Sequence, residues 1–235
     1  MWSGPRNIST AMMRAWGNRS DTVVCDEPLY AHYLLETGVL HPGREEVIAH
    51  HDTDWRRVVS VLTGPLPPGK TIFYQKHMAH HLLPGIDRGW LAELRHCFLL
   101  REPAEMLMSL VKNLPEPRLE DTGLPQQLEL FRRAQDLAGP PPVVDARDVL
   151  ENPRGVLRQL CAALQVPFEE SMLCWPPGQR DTDGIWAKHW YDAVLRSTSF
   201  IPYQAKHERL AGRLRALYEQ CLVPYQELYR HRLRA

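Results

Sequence analysis

Short apolar runs separated by longer amphipathic segments are the feature that most constrains the fold of this 235-residue chain. The apolar runs are nearly continuous, which is typical of strands covered on both faces of a parallel sheet. The segments between them have the period of helices. We therefore predict one α/β domain over residues 1–235, with a three-layer, mostly parallel central sheet flanked by helices. The predicted strands are 22–26, 71–75, 96–100 and 142–146, and the predicted helices are 9–18, 29–37, 55–62, 103–113, 124–137, 153–164 and 207–229.

The composition argues against several classes of partner. Lys plus Arg and Asp plus Glu number 28 each, so no overall basic field favours nucleic acid or a membrane surface. No apolar run reaches the ~18 residues of a membrane span. The 5 cysteines are scattered without a C-x-x-C pair, which indicates a reducing compartment, and we predict a cytoplasmic protein. An anionic ligand must then be held by local geometry.

The segment from Gly4 to Thr10 predicts an anion-binding loop at the start of a helix. Small and polar residues at a helix N-terminus expose backbone N–H groups and the positive end of the helix dipole to an anion. Arg6 adds a cation in the middle of the loop. Because the loop normally follows a full strand, either the first strand is truncated here or the natural start lies upstream of Met1.

The loop differs from the Walker A pattern, G-x-x-x-x-G-K-[ST], at the positions that handle a triphosphate. Counted from Gly4, Ser9 stands in place of the second Gly. Thr10 replaces the Lys, and Ala11 replaces the residue whose hydroxyl binds Mg²⁺. Since both groups that bind a β/γ-phosphate and its metal are missing, the loop suits a nucleotide 5′-phosphate better than ATP.

A second candidate anion site lies about 90 residues later, at Arg101 and Ser109. Arg101 follows an apolar strand, and Pro103 begins the next helix, on which Ser109 lies. The carboxyl ends of strands form the edge at which open α/β sheets bind ligands. Arg101 is therefore a candidate anion contact at that edge, with Ser109 on the helix that follows.

These two segments resemble sulfotransferases that use 3′-phosphoadenosine 5′-phosphosulfate (PAPS). Residues 5–10 resemble their P-[KR]-S-G-T-T loop, with Asn7-Ile8 in place of Ser-Gly, and the loss of Gly restricts the backbone there. Residues 101–109 are similar to the R-[DEN]-P-x-x-x-x-x-S segment, whose Arg and Ser hold the 3′-phosphate of the donor. Residues 179–188 faintly resemble the basic loop that closes over the nucleotide. The resemblance implies donor contacts from Gly4, Pro5, Arg6, Asn7, Ile8, Ser9, Thr10, Arg101, Ser109, Arg180 and Lys188.

The same resemblance implies a bacterial-type member with a P-loop NTPase-like fold, and it suggests the catalytic residues. Sulfuryl transfer needs cations on the leaving phosphate, where Arg6 is placed, and a base for the acceptor. Glu27 resembles the base of the tyrosylprotein branch. His77 resembles the base in the K-T-H-L-P segment of the cytosolic enzymes, with Lys76 as an auxiliary cation. His titrates near neutrality without help, whereas Glu needs a pKa raised by burial, and both remain candidates.

The leading hypothesis is a PAPS-dependent sulfotransferase that modifies a hydroxyl or amine of a small-molecule acceptor. The alternatives are a P-loop ATP-dependent phosphotransferase and a non-catalytic nucleotide-binding protein of the same fold. Asn7-Ile8 and the truncated first strand keep the last alternative open. His77 and His81 have the spacing of metal ligands but no obvious third ligand, so no metal is expected. Four aromatic residues are candidates for either an acceptor pocket or the core: Tyr30, Tyr33, Trp55 and Trp186.

Overall fold

The computed structural model describes residues 1–205 and 210–234. The chain divides into two compact units, each built from separate stretches. The first unit comprises Met1–Ser9, Arg95–Phe168 and Ile201–Ala235, and the second comprises Thr10–Leu94 and Glu169–Phe200. The strands and α-helices are β1 (Trp2–Ser3), α1 (Ser9–Gly17), β2 (Thr22–Asp26), α2 (Tyr30–Thr37), α3 (Arg44–His50), α4 (Trp55–Leu62), β3 (Ile72–Met78), β4 (Phe98–Leu100), α5 (Pro103–Leu110), α6 (Leu124–Ala138), β5 (Val143–Asp145), α7 (Ala146–Glu151), α8 (Pro153–Ala163), α9 (Ala187–Trp190), α10 (Asp192–Leu195) and α11 (Arg215–Tyr229).

Three short parallel strands form the core of the first unit, in the order β1-β4-β5. Trp2 is paired with Phe98, and Phe98 with Val143. All three residues of β4 are fully buried, as expected for a central strand covered on both faces. The helices of this unit begin at sequence-encoded caps. Asn152 accepts a hydrogen bond from the Gly155 amide at 3.0 Å, with Pro at the first helical position of α8.

The second unit is built on the parallel pair β2 and β3. Their register runs from Thr22 opposite Ile72 to Asp26 opposite Lys76, so two ionisable side chains end the pairing side by side. The three middle residues of β2 are only half-buried, which differs from the predicted strand covered on both faces. The far end of β3 is fully buried as far as Met78. This burial keeps polar side chains of β3 away from water.

The prediction of an α/β fold with parallel strands and flanking helices is confirmed, since every strand pairing in the two units is parallel. The first strand is truncated, as predicted, and spans only Trp2–Ser3. The bounds of β2 and α4 agree with the predicted ones. The other predicted elements are displaced by one to three residues at one or both ends, except for the last helix.

Several boundaries were wrong for identifiable reasons. The helix predicted over 103–113 ends at Leu110, and residues 111–113 continue as a hydrogen-bonded turn before Pro115. The last helix begins at Arg215 and continues through Pro224; of its predicted start, residues 207–209 lie outside the described residues. The strand predicted over 71–75 continues to Met78. Short α3 was missed, because its one fully buried residue, Val47, creates no apolar period.

Candidate functional site

The anion-binding loop of the first unit is held from both sides by polar contacts. A Cβ on Gly4 would approach the Thr122 carbonyl oxygen to 2.3 Å, so this position requires glycine. Asn7 donates a hydrogen bond from Nδ2 to the Leu99 carbonyl oxygen at 3.0 Å, which fixes the loop on β4. Two strand-to-loop segments that are 92 residues apart in the chain are thereby joined.

Backbone strain in the loop falls on Arg6 and not on the two residues that depart from the family pattern. Arg6 has a φ of 58°, in the left-handed region that costs a non-glycine residue roughly 1 kcal/mol or more. Asn7 and Ile8 both have negative φ. Because neither position needs left-handed backbone, the predicted restriction from the missing glycine does not distort this loop.

Arg6, Arg101 and Ser109 meet, as their assignment to one ligand requires. Arg6 donates from Nε to Ser109 Oγ at 2.9 Å, and Arg101 donates from Nη1 to the Arg6 carbonyl oxygen at 2.7 Å. Burial and the charge of Arg101 lower the pKa of Arg6 below its ordinary value. Two guanidinium groups held this close repel each other, and an anion would relieve that repulsion.

A carboxylate and a tyrosine restrain the second of these cations. Arg101 contacts Glu105 Oε2 at 3.2 to 3.3 Å, and Glu105 Oε1 accepts a 2.6 Å hydrogen bond from the Tyr203 hydroxyl. We had not identified either residue from the sequence. The i,i+4 spacing of Arg101 and Glu105 on a helix start was a usable signal. Tyr203, in a loop 98 residues away from Glu105, gave none.

In the second unit a buried lysine binds three oxygen atoms. Lys76 Nζ donates to Asp26 Oδ1 at 2.8 Å, to Glu27 Oε1 at 2.6 Å and to the Tyr191 hydroxyl at 2.6 Å. Burial opposes the charged form, but the Asp26 and Glu27 carboxylates outweigh it, and the pKa of Lys76 is well above its ordinary value. An ammonium group has three protons, so these three acceptors saturate Lys76.

Glu27 follows β2 in a strained backbone conformation. Its φ is 44°, and its amide donates to the Lys76 carbonyl oxygen at 2.9 Å, which extends the strand pairing by one step. Its side chain retains 11% exposure. Burial raises the pKa of Glu27, and the neighbouring Lys76 charge opposes that rise. The result is a carboxylate with a higher proton affinity than an ordinary Glu.

Asp26 is the residue around which this cluster is organised. Besides Lys76, it accepts hydrogen bonds from the Tyr191 hydroxyl at 2.7 and 2.8 Å and from the Gly184 amide at 3.1 Å. Burial and the charge of Asp26 raise the pKa of Tyr191 well above its ordinary value. Neither Asp26 nor Tyr191 was among the predicted site residues. Asp26 ends a predicted strand, which was a signal, but Tyr191 had none.

His77, the other candidate base, lies inside β3. It is 2% exposed, and its Nε2 lies 3.2 Å from Gln75 Oε1. Gln75 in turn donates to the Leu62 carbonyl oxygen at 2.7 Å. The imidazole of His77 therefore belongs to a buried polar chain, whereas Glu27 retains contact with solvent.

His81 lies near Glu27, a contact that the sequence did not predict. Its Nδ1 is 3.9 Å from Glu27 Oε2. Its ring is stacked between Tyr30 and Tyr33, with centroid distances of 4.8 and 4.6 Å. Burial, followed by the neighbouring His80, holds the pKa of His81 well below its ordinary value. His81 is thus a neutral ring in a fixed orientation.

The basic residues of the proposed nucleotide-covering loop differ in their surroundings. Arg180 is half-buried, and burial followed by the charge of Arg14 lowers its pKa. Lys188 is exposed and forms a salt bridge with Glu46. The loop itself is anchored by Arg14, which binds both carboxylate oxygens of Asp183 and is 1% exposed. Of the two predicted contacts, Arg180 is therefore the more buried, and Lys188 is the one paired with a carboxylate.

The described residues lack two features that would point to other functions. Among residues 1–205 and 210–234, no three His, Cys, Asp or Glu side chains are arranged to hold a metal ion. No helix in the same residues is both long enough and apolar enough to span a membrane.

The chain matches a known protein family. A family model described as "Sulfotransferase domain" matches residues 1–217. Two Arabidopsis thaliana proteins are similar to the chain: "Branched-chain-amino-acid aminotransferase-like protein 2", at 34% identity over 232 residues, and "Branched-chain-amino-acid aminotransferase-like protein 1", at 36% over 200 residues. The matches cover 98% and 85% of this chain but 41% and 36% of those proteins. The chain thus spans about two fifths of the length of these curated relatives.

Comparison with solved structures supports the fold. The "Sulfotransferase Domain from the Curacin Biosynthetic Pathway" aligns with a TM-score of 0.55 and 15% identity. The alignment covers 96% of this chain and 95% of that one. At this identity the likeness concerns the fold alone.

Proposed function

The chain belongs to the sulfotransferase domain family, and from this premise we propose that it transfers a sulfuryl group from PAPS to a hydroxyl or amine of a small-molecule acceptor. Family membership supports the reaction type. The donor and the acceptor class are our inference from the residues. The cytoplasmic location indicated by the cysteine pattern belongs to the same proposal.

The observation that carries the proposal is the meeting of Arg6, Arg101 and Ser109. Two segments that resemble separate halves of a PAPS site contact each other directly. In the proposal, Arg101 and Ser109 bind the 3′-phosphate, and residues 4–10 bind the 5′-phosphosulfate. Arg6 stabilises the charge that develops on the leaving 5′-phosphate, because a guanidinium remains charged and binds phosphate in a bidentate manner.

Glu27 is the proposed base, with His77 as the alternative. The residual exposure of Glu27 and its raised pKa favour it over a His that is hydrogen-bonded within β3. Lys76 is saturated by Asp26, Glu27 and Tyr191, so we assign it to orienting Glu27 instead of contacting the sulfuryl group.

The reaction balances without any metal. The S–O bond to the donor's 5′-phosphate breaks, and its electron pair leaves with the phosphate. A lone pair of the acceptor forms the new bond to sulfur, and the acceptor's proton passes to Glu27. Arg180 adds a cation for the donor in this proposal, whereas Lys188 would first have to leave Glu46.

A thermal-shift titration tests the donor assignment. Adenosine 3′,5′-bisphosphate at about 100 times its Kd is expected to stabilise the protein by roughly 2.7 kcal/mol, which is several degrees of Tm at this size. Stabilisation by ATP·Mg²⁺ but not by the bisphosphate would contradict the proposal. Turnover of PAPS on an acceptor panel then separates an active enzyme from a protein that only binds the nucleotide.

Arg6→Ala is expected to abolish turnover. Arg215→Ala is the matched control, because Arg215 has an 80% exposed side chain that pairs with Glu219 on the same helix. Equal rates in both variants would remove Arg6 from the proposed machinery.

A further inference from the structure

Glu27 and His81 present two polar atoms to the same small space in the second unit. Glu27 Oε1 is bound to Lys76, whereas Oε2 lies 3.9 Å from His81 Nδ1. That separation is too long for a hydrogen bond between the two atoms. His81 Nδ1 is buried and has no hydrogen-bond partner among the described residues. A buried polar atom without a partner is costly, and a ligand atom can remove that cost.

The separation fits one hydroxyl oxygen. If one oxygen lies about 2.8 Å from each atom, its two hydrogen bonds form an angle of roughly 90°, so a single oxygen can contact both. The Glu27 side chain is 11% exposed and that of His81 is 4% exposed, so a ligand reaches the pair from the side of Glu27. Because His81 Nδ1 itself is buried, neighbouring side chains must shift to admit that oxygen.

The tautomer of His81 follows from its surroundings. A carboxylate oxygen of Glu27 faces His81 Nδ1. The tautomer with its proton on Nδ1 is favoured, because in the other tautomer the Nδ1 lone pair would face that negative charge. Burial keeps the ring neutral, since it lowers the pKa of His81. Stacking on Tyr30 and Tyr33 fixes the plane of the ring, so the N–H bond keeps its direction.

We propose that His81 is a catalytic residue that binds the acceptor hydroxyl together with Glu27, and that this pair selects alcohols over amines. The inference rests on the proposed function. A hydroxyl has one proton and two lone pairs. Its proton goes to Glu27 Oε2, one lone pair accepts from His81 Nδ1–H, and the other attacks sulfur. A neutral amine has a single lone pair, which cannot both accept from His81 and attack.

Matched acceptor pairs test this selection. The probes are 2-phenylethanol against 2-phenylethylamine and 1-hexanol against hexylamine, each with PAPS. The wild-type enzyme is expected to prefer the alcohol of each pair. His81→Phe retains the ring stack but has no N–H, and it is expected to lower kcat/KM for alcohols by about tenfold with little change for amines. His81→Asn restores a donor near Nδ1 and is expected to recover most of the loss.

A spectroscopic measurement decides the inference even where none of the four probes reacts. In ¹⁵N-histidine-labelled protein, the signal of His81 is identified by its absence from the His81→Phe spectrum. A neutral ring with its proton on Nδ1 across pH 5 to 8 supports the inference, and a proton on Nε2 overturns it. An unchanged alcohol-to-amine ratio in His81→Phe also overturns it, whereas a wild-type protein that neither binds the bisphosphate nor consumes PAPS contradicts the proposed function itself.

Discussion

Arg6 and Ser109 lie 103 positions apart in the sequence and are joined by a 2.9 Å hydrogen bond from Nε to Oγ. Each residue was predicted to bind a different phosphate of one nucleotide. In the proposed site, their contact means that the cation assigned to the 5′-phosphate is oriented by the residue assigned to the 3′-phosphate. Removal of the Ser109 hydroxyl should therefore weaken the binding of the 3′-phosphate more than that of the 5′-phosphate.

Ser109→Ala is expected to weaken the binding of adenosine 3′,5′-bisphosphate by about tenfold, the cost of one hydrogen bond to a charged group. Adenosine 5′-monophosphate lacks the 3′-phosphate, so its affinity should change much less. Isothermal titration with both nucleotides makes the comparison. Equal losses for the two ligands would mean that Ser109 acts only through the orientation of Arg6.

The rate should depend on pH through Glu27. Glu27 must be ionised to accept a proton, and burial raises its pKa. The value of kcat/KM is therefore expected to fall as the pH is lowered through that raised pKa, above the ~4.3 of an ordinary Glu. Because the Lys76 charge holds the pKa down, Lys76→Met should move this fall to higher pH. His77→Asn should leave the pH of this fall in kcat/KM unchanged. If the fall disappears in His77→Asn, His77 is the base instead.

The buried pair of Arg14 and Asp183 is expected to be a strong determinant of stability. Their side chains are 1% and 0% exposed, so Asp183→Ala leaves a buried guanidinium without its counter-ion. The expected loss in the free energy of unfolding is about 3–5 kcal/mol by urea denaturation. Asp192→Ala breaks the exposed pair with Arg196 and should cost under about 1 kcal/mol. Similar losses for both would contradict the assigned role of burial.

Asp145 should make stability decrease between pH 4 and pH 6. Burial raises the pKa of Asp145 to about 6, although its carboxylate caps α7 and accepts from Tyr225. The folded state therefore binds this proton more tightly than the unfolded chain, whose Asp titrates near ~3.9. Below pH 4, Asp145 makes its full favourable contribution to the free energy of unfolding. This contribution, about 3 kcal/mol, is lost as the pH rises through 6. Asp145→Asn should lack this loss when the two unfolding curves are compared across that range.

Local sequence patterns were sufficient to predict the approximate positions of the strands, and the residues assigned to the donor, Arg6, Arg101 and Ser109, do lie together. Strand β2 is a short apolar run and helix α4 has a clear helical period, and both have the predicted bounds. Two short segments have the spacing of the motifs they resemble: one contains Gly4 and Arg6, and the other contains Arg101 and Ser109. In this part of the molecule, the residues within each short segment are enough to predict its local structure.

The lysine cluster could not be predicted in the same way. Tyr191 contacts Asp26 across 165 positions, and the Gly184 amide reaches the same carboxylate across 158. Nothing in the residues around Tyr191 indicates that its hydroxyl is buried against a carboxylate. Likewise, the stacking of His81 between two tyrosines depends on how the helix and the strand pack, so sequence reasoning favoured the neighbouring His77.

The left-handed backbone at Arg6 and Glu27 has a consequence for how such a chain changes over generations. Each conformation costs roughly 1–2 kcal/mol that a glycine would not incur. A lineage that no longer needed transfer would gain stability by losing these two side chains, and drift would remove them early. Glycine at either position is therefore the substitution that would gain stability at the expense of the proposed transfer.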